Sequence, residues 1–207
     1  GSMNGIYIIG LTGPSGAGKS TVVSLLRQKG LTCIDADQTA RQVTTKGAPC
    51  LAALQKAFGD KILLPNGNLN RRALADIAFS TPENTKQLNA ITHPVIIDAI
   101  NREIAALRQS GCPAVLLDAP TLFQSGANRL CDRIVVVTAP PETRLQRIMQ
   151  RDHLDQTAAL ARMHAALPDE FFTQHADDLI QNDAGLPTLQ RQVDRLYATL
   201  QRMVPRS

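Results

Sequence analysis

With 207 residues, 43% of them hydrophobic and 19% charged, the chain has the balance of one ordinary globular domain with room for excursions, which excludes an intrinsically disordered protein. Aromatic residues make up only 3%, and tryptophan is missing, so platforms for stacking single-stranded nucleic acid are poorly supplied. The net charge of +4 comes from basic residues dispersed among acids, which favours a local pocket for small polyanions over a nucleic-acid face.

Gly1-Ser2-Met3 reads as a remnant of expression ahead of the natural start, and no signal peptide or apolar run of membrane-spanning length is legible. A cytoplasmic protein without membrane partners is therefore expected. Tyr7 to Leu11 predicts a short buried strand that stops at a Gly-rich turn. A helical pattern follows from Ser20, with Val22, Val23, Leu25 and Leu26. Leu31 to Ile34 predicts a second strand, ending in Asp35-Ala36-Asp37. The pattern then turns nearly all helical: Pro49 to Phe58, Asn70 to Phe79, Pro82 to Ile91 and Pro94 to Gln109. Ala114 to Leu117, ending in Asp118, and Ile134 to Thr138, bounded by Pro140-Pro141, predict two further strands. An Arg-rich helical stretch runs from Pro141 to Asp177, Asp178 to Gln181 reads as another strand, and Leu186 to Met203 predicts a final helix with Leu189, Val193, Leu196 and Leu200 on one face.

Short apolar strands alternating with helices imply an α/β protein with a parallel sheet of about five strands, covered on both faces in three layers. The expected division is a nucleotide-binding core from residues 4–34, 112–140 and 178–207, a helical acceptor-binding insertion over 35–111, and a helical lid over 141–177. Cys33, Cys50, Cys112 and Cys131 form no C-x-x-C pair, so neither a disulfide nor a zinc framework is expected.

The chemistry is carried first by Gly13-Pro14-Ser15-Gly16-Ala17-Gly18-Lys19-Ser20, which fits G-x-x-x-x-G-K-[ST] at every specified position, between a strand and a helix. Such a loop turns successive main-chain N–H groups inward, and the following helix adds its positive N-terminal end. Lys19 is expected to reach the β- and γ-phosphates of ATP, and the Ser20 hydroxyl to ligate Mg²⁺. No N-K-x-D and no D-x-x-G tetrapeptide occurs, so a guanine-specific GTPase loses its usual supports, and phosphoryl transfer to a small molecule leads.

Asp35 and Asp37 follow the second strand, where a carboxylate can accept the proton of an attacking hydroxyl. Asp35 is the expected base and Asp37 the expected cap or supporting residue; the competing reading is that one of the pair only caps the helix near Gln38. Asp118 fits a strand-end carboxylate that supports Mg²⁺, and equally a turn-forming Asp before Pro120.

Over almost its whole length the chain resembles dephospho-coenzyme A kinase. The resemblance rests on Gly10-Leu11-Thr12-Gly13, Ile34-Asp35-Ala36-Asp37, Ala40-Arg41-Gln42-Val43, Gly47-Ala48-Pro49 and Gly67-Asn68-Leu69-Asn70-Arg71-Arg72-Ala73-Leu74. His93-Pro94, Pro120-Thr121-Leu122-Phe123, Arg147, Arg151-Asp152 and Ala176-Asp177-Asp178 complete it. It implies a P-loop NTPase fold with ATP and dephospho-coenzyme A as substrates and Mg²⁺ as cofactor. By the same resemblance Asp35 activates the ribose 3′-hydroxyl, while Arg41, Arg71, His93, Pro120 and Leu122 lie on the acceptor side. Arg147, counted as catalytic with Lys19 and Asp35, and Arg151 meet the ATP phosphates; Thr21 and Asn182 join the nucleotide contacts. A monomer or weak homo-oligomer is expected. Lys46, Thr121, Gln124, Ala166 and Gln181 depart from the family's usual residues. The alternatives are a nucleoside- or nucleotide-type kinase and a catalytically silent ATP-binding regulator.

Overall fold

A computed structural model describes residues 5–205; Gly1-Ser2-Met3 lies outside them. Strand β1 (Tyr7–Thr12) is buried along its full length. It pairs in parallel with β3 (Ala114–Asp118) on one side and β4 (Arg133–Thr138) on the other. With β2 (Thr32–Asp35) and β5 (Asp178–Gln181) at the edges, the parallel sheet has the order β2-β3-β1-β4-β5. The inner strands read as continuous apolar runs because both of their faces are covered; the edge strands mix buried and exposed positions. Register sets Leu11 beside Asp118, Thr12 beside Val136, and Thr138 beside Gln181. The carboxyl ends of these strands therefore lie in one row, which is where ligands bind in such sheets.

One face of the sheet presents Ile9, Leu11, Leu116, Val135, Val137 and Ile180 to helix α1 (Lys19–Gln28) and to the C-terminal helix, numbered α9 below. From α1 come Val22, Val23 and Leu26. On the opposite face Ile8, Val115, Leu117 and Val136 are buried as well, and Leu122 and Cys131 close over Gly10.

The chain forms two compact units, residues 35–106 and the remainder. The first contains α2 (Ala36–Val43), α3 (Pro49–Phe58), α4 (Arg71–Ala78) and most of α5 (Pro82–Gln109). Asn70 caps α4, its side chain accepting the Ala73 N–H at 3.1 Å. The remainder adds α6 (Pro141–Asp152), α7 (Gln156–Ala165), α8 (Asp169–Gln174) and α9 (Leu186–Met203). Leu189, Val193, Leu196 and Leu200 of α9 are all buried, as their spacing predicts. Among the described residues no helix is long and apolar enough to cross a membrane.

One expectation is corrected. The sequence places a break between Ile91 and Pro94, yet α5 runs unbroken from Pro82 to Gln109 with Pro94 inside it. A mid-helix proline removes an N–H and crowds the preceding turn, at about 3 kcal/mol. Leu88 and Ile91 before it and Val95 after it nevertheless pack on the same cluster of Cys50, Leu54, Ile62, Leu74 and Ala78. Their spacing of three and four residues keeps one face in phase, and burial on both sides of Pro94 offsets its penalty. His93 is consequently a mid-helix residue.

Candidate active site

Gly13 leaves β1 so close to β4 that a Cβ on it would sit 2.0 Å from the Val137 carbonyl oxygen. Gly18 is the N-terminal boundary of α1, in the left-handed region at φ 81°. A Cβ there would also lie 2.2 Å from Asn182 Nδ2, so position 18 excludes side chains on both conformational and packing grounds.

Between these glycines, three consecutive carbonyls are held by side chains from elsewhere. Arg144 Nη1 donates to Ser15 O at 3.3 Å, Arg147 Nη1 to Gly16 O at 3.1 Å, and Asn182 Nδ2 to Ala17 O at 2.9 Å. In a trans peptide the carbonyl and the following N–H point in opposite directions, and no cis bond occurs among the described residues. Holding Ser15 O and Ala17 O therefore turns the Gly16 and Gly18 N–H groups to the other side. The Ala17 N–H closes a turn on Pro14 O at 3.2 Å. Together with the unpaired N–H groups expected at the start of α1, this arrangement can seat a polyphosphate. Gly18→Ala is expected to weaken ADP binding about tenfold or more through left-handed strain alone. Calorimetric titration with ADP checks this, and an unchanged affinity would show that the loop does not hold phosphate.

Lys19 Nζ donates to an Asp118 carboxylate oxygen, and the two side chains are 18% and 16% exposed. Asp118 ends β3 beside Leu11 of β1, so the strand-end carboxylate touches the phosphate loop's lysine. Ser20 and Thr21 are exposed on the first turn of α1. One hydroxyl and one carboxylate suit a hard cation that keeps water and takes its other oxygens from phosphate. No group of three or more His, Cys, Asp or Glu that could enclose a metal exists among the described residues.

Asp35 is the last residue of β2 and the N-cap of α2: its Oδ1 accepts the N–H of Asp37 at 2.9 Å and of Gln38 at 3.4 Å. The cap role expected of Asp37 thus belongs to Asp35, because only the residue preceding the first helical turn can turn its side chain back onto the free N–H groups. Both bonds use Oδ1, which fixes the carboxylate and leaves Oδ2 available to take a proton.

Within the same unit, Arg71 Nη2 donates to Thr44 Oγ1 at 3.2 Å. Partial desolvation first, and the like charge of neighbouring Arg41 second, lower the Arg71 pKa. Two guanidiniums side by side can attract an anion. Burial also lowers the His93 pKa, favouring the neutral ring at neutral pH.

Arg151 Nη2 reaches Ser15 Oγ at 3.1 Å while pairing with Asp152, and Arg147 Nη2 donates to Asn182 O at 2.8 Å. Pro120 is half-buried, its carbonyl accepting the Thr12 hydroxyl at 3.3 Å. Leu122 is fully buried against Gly10. The departures Lys46, Thr121, Gln124, Ala166 and Gln181 are all exposed. Sequence reasoning missed Arg144. The signal was present in its spacing, since residues 144, 147 and 151 fall three and four apart on one face of α6.

A parallel sheet whose first strand opens into a glycine-lined phosphate loop, with its lysine on a neighbouring strand-end carboxylate, defines the P-loop class of nucleotide-binding proteins. The family model described as Dephospho-CoA kinase matches residues 7–188. A relative of that name from Syntrophotalea carbinolica is 39% identical over 200 residues, 97% of this chain and 93% of the relative. Among solved structures, TT1252 from Thermus thermophilus superposes with a TM-score of 0.80 at 33% identity, covering 96% of this chain and 98% of its own. Dephospho-CoA kinase from Campylobacter jejuni superposes at 0.72 with 27% identity, covering 95% and 98%. The chain belongs to the dephospho-CoA kinase family.

Proposed function

We propose that this protein transfers the γ-phosphoryl group of ATP to the ribose 3′-hydroxyl of dephospho-coenzyme A, giving coenzyme A and ADP, the last step of coenzyme A biosynthesis. The observation that carries the reading is full-length kinship with relatives named dephospho-CoA kinase, in a chain whose phosphate loop is intact.

In this reading the loop from Gly13 to Ser20, continued by Thr21, binds the ATP phosphates. Lys19 moves from Asp118 to the β- and γ-oxygens, and Arg147 and Arg151 face the transferring group, with Asn182 bracing the loop. Ser20 and Asp118 would hold Mg²⁺, which when bound would neutralise phosphate charge. Asp35 Oδ2 takes the 3′-hydroxyl proton as that oxygen bonds to the γ-phosphorus and the bridging oxygen leaves with ADP. Arg41 and Arg71 supply positive charge for the phosphates of the acceptor, with His93 and Pro120 on the same substrate. Residues 35–111 act as the acceptor-binding part and 141–177 as the lid. The enzyme works in the cytoplasm, where ATP is supplied, as a monomer or weak homo-oligomer.

A coupled assay of ADP release with Mg²⁺, ATP and a panel of acceptors tests the proposal. Release is expected to depend on dephospho-coenzyme A, and to fall at least about 10³-fold with nucleosides or nucleotides that lack the pantetheine arm, since remote binding energy is used in the transition state. Equal or faster turnover of a nucleoside would refute the assignment.

A further inference from the structure

Arg144 is the one charged side chain in the buried set of the described residues, at 4% exposure. Each of its three guanidinium nitrogens donates to protein. Nε donates to Ala139 O at 3.1 Å just after β4, Nη1 to Ser15 O at 3.3 Å in the phosphate loop, and Nη2 to Asp169 Oδ2 at 2.6 Å in the first turn of α8. Its own backbone touches the loop too, since a Cβ at Gly16, which sits at φ 82°, would lie 2.7 Å from Arg144 O. Arg147 and Arg151 of the same helix are less buried, and each keeps a guanidinium nitrogen with no bond to the loop.

A buried guanidinium is retained only where it is paired and hydrogen-bonded, because the desolvation penalty is large. Here the pairing joins three segments that are distant in sequence: the loop after β1, the end of β4, and α8. The bond to Ser15 O has a directional consequence. It holds the Ser15–Gly16 peptide with its oxygen toward α6, which leaves the Gly16 N–H on the ligand side. A peptide flipped the other way would offer a carbonyl oxygen to a phosphate and repel it.

We propose that Arg144 is a positioning residue that holds the phosphate loop in its anion-accepting orientation, and that Asp169 makes this hold depend on the placement of α8. The inference rests on reading residues 13–20 as the nucleotide-phosphate seat. Arg144 touches no substrate; it acts through the Ser15–Gly16 peptide. Asp169 fixes the guanidinium plane by taking Nη2, so that Nη1 stays aimed at Ser15 O. Movement of α8 is thereby transmitted to the loop through two hydrogen bonds.

The test compares Arg144→Met, Arg144→Lys, Asp169→Asn and the Arg144→Met/Asp169→Asn double variant by ATP affinity, by KM for each substrate and by unfolding midpoint. Loss of a charge-assisted bond that orients a ligand-binding amide is expected to weaken ATP about thirtyfold in Arg144→Met, with the KM for dephospho-coenzyme A within about twofold of the parent. Arg144→Lys keeps the charge but lacks the planar fork, and is expected to remain about tenfold weak. Asp169→Asn is expected to weaken ATP about threefold, and the double variant to be no weaker than Arg144→Met alone.

A merely structural arginine would lower the unfolding midpoint and leave the ATP affinity of the folded protein intact, which overturns the proposal. Full affinity in Arg144→Lys would reduce the effect to bulk charge and overturn it equally. Additive losses in the double variant would sever the link to Asp169. Should Arg144→Met fail to fold, Asp169→Asn decides, since that side chain is 38% exposed: unchanged ATP affinity there refutes the coupling. A parent protein that does not bind ATP would instead refute the phosphate-seat reading itself.

Discussion

Lys19→Ala is expected to lower kcat/KM for ATP by about 10³-fold, the scale on which removal of one preorganised donor acts at a charge-developing centre. The ammonium sits on Asp118 in a site where both side chains are four-fifths buried, so its loss has two consequences. The phosphate cradle loses its only lysine, and Asp118 keeps a carboxylate without its counter-charge. The second effect alone lowers stability. Lys19→Arg separates the two, because an arginine restores a positive partner for Asp118 but carries a bulkier, planar head than the loop is shaped to take. The unfolding midpoint is expected to recover in Lys19→Arg while turnover stays low. Steady-state kinetics and thermal unfolding on the same preparations check both, and Lys19→Ala turning over within tenfold of the parent would remove Lys19 from the reaction.

Asp35→Asn is expected to reduce kcat about 10³-fold with little change in the KM for ATP, the signature of a lost proton acceptor. Capping geometry makes this substitution unusually clean. Asp35 Oδ1 holds the Asp37 and Gln38 N–H groups, and asparagine caps helices as well as aspartate, so Asn at 35 leaves stability within about 0.5 kcal/mol of the parent. Asp35→Ala removes the cap as well and is expected to lose about 1 kcal/mol in addition to the same turnover. Chemical denaturation measured beside kcat distinguishes a base from a cap. An Asn variant with full turnover would leave Asp35 as a cap and nothing more.

The phosphate loop was legible because its requirements are local: glycines, a lysine and a hydroxyl at set spacing between a strand and a helix. The five strands and the last helix were legible because inner strands buried on both faces and a one-sided helix leave distinct apolar periods. Asp35 illustrates the limit of such reading. Its position after β2 marks it as a candidate base, but which of Asp35 and Asp37 turns back onto the helix depends on the backbone angle at the junction. Pro94 illustrates another limit, since a proline predicts a break only while the packing on its two flanks is unknown.

From residue order alone came the fold class and the nucleotide-phosphate loop, because each rests on contacts between near neighbours or on a pattern repeated along one element, and the resemblance to a kinase family, which rests on the order of short motifs along almost the whole chain. Tertiary structure decided which groups meet across long separations. Spacing along the chain does not name the partner in Arg144 reaching back 129 residues to Ser15, in Lys19 pairing with Asp118 99 residues away, or in Leu122 buried over Gly10. The physical reason is that a side chain's partner is set by where the sheet order β2-β3-β1-β4-β5 brings the strand ends together, and a crossover connection carries no mark of its destination.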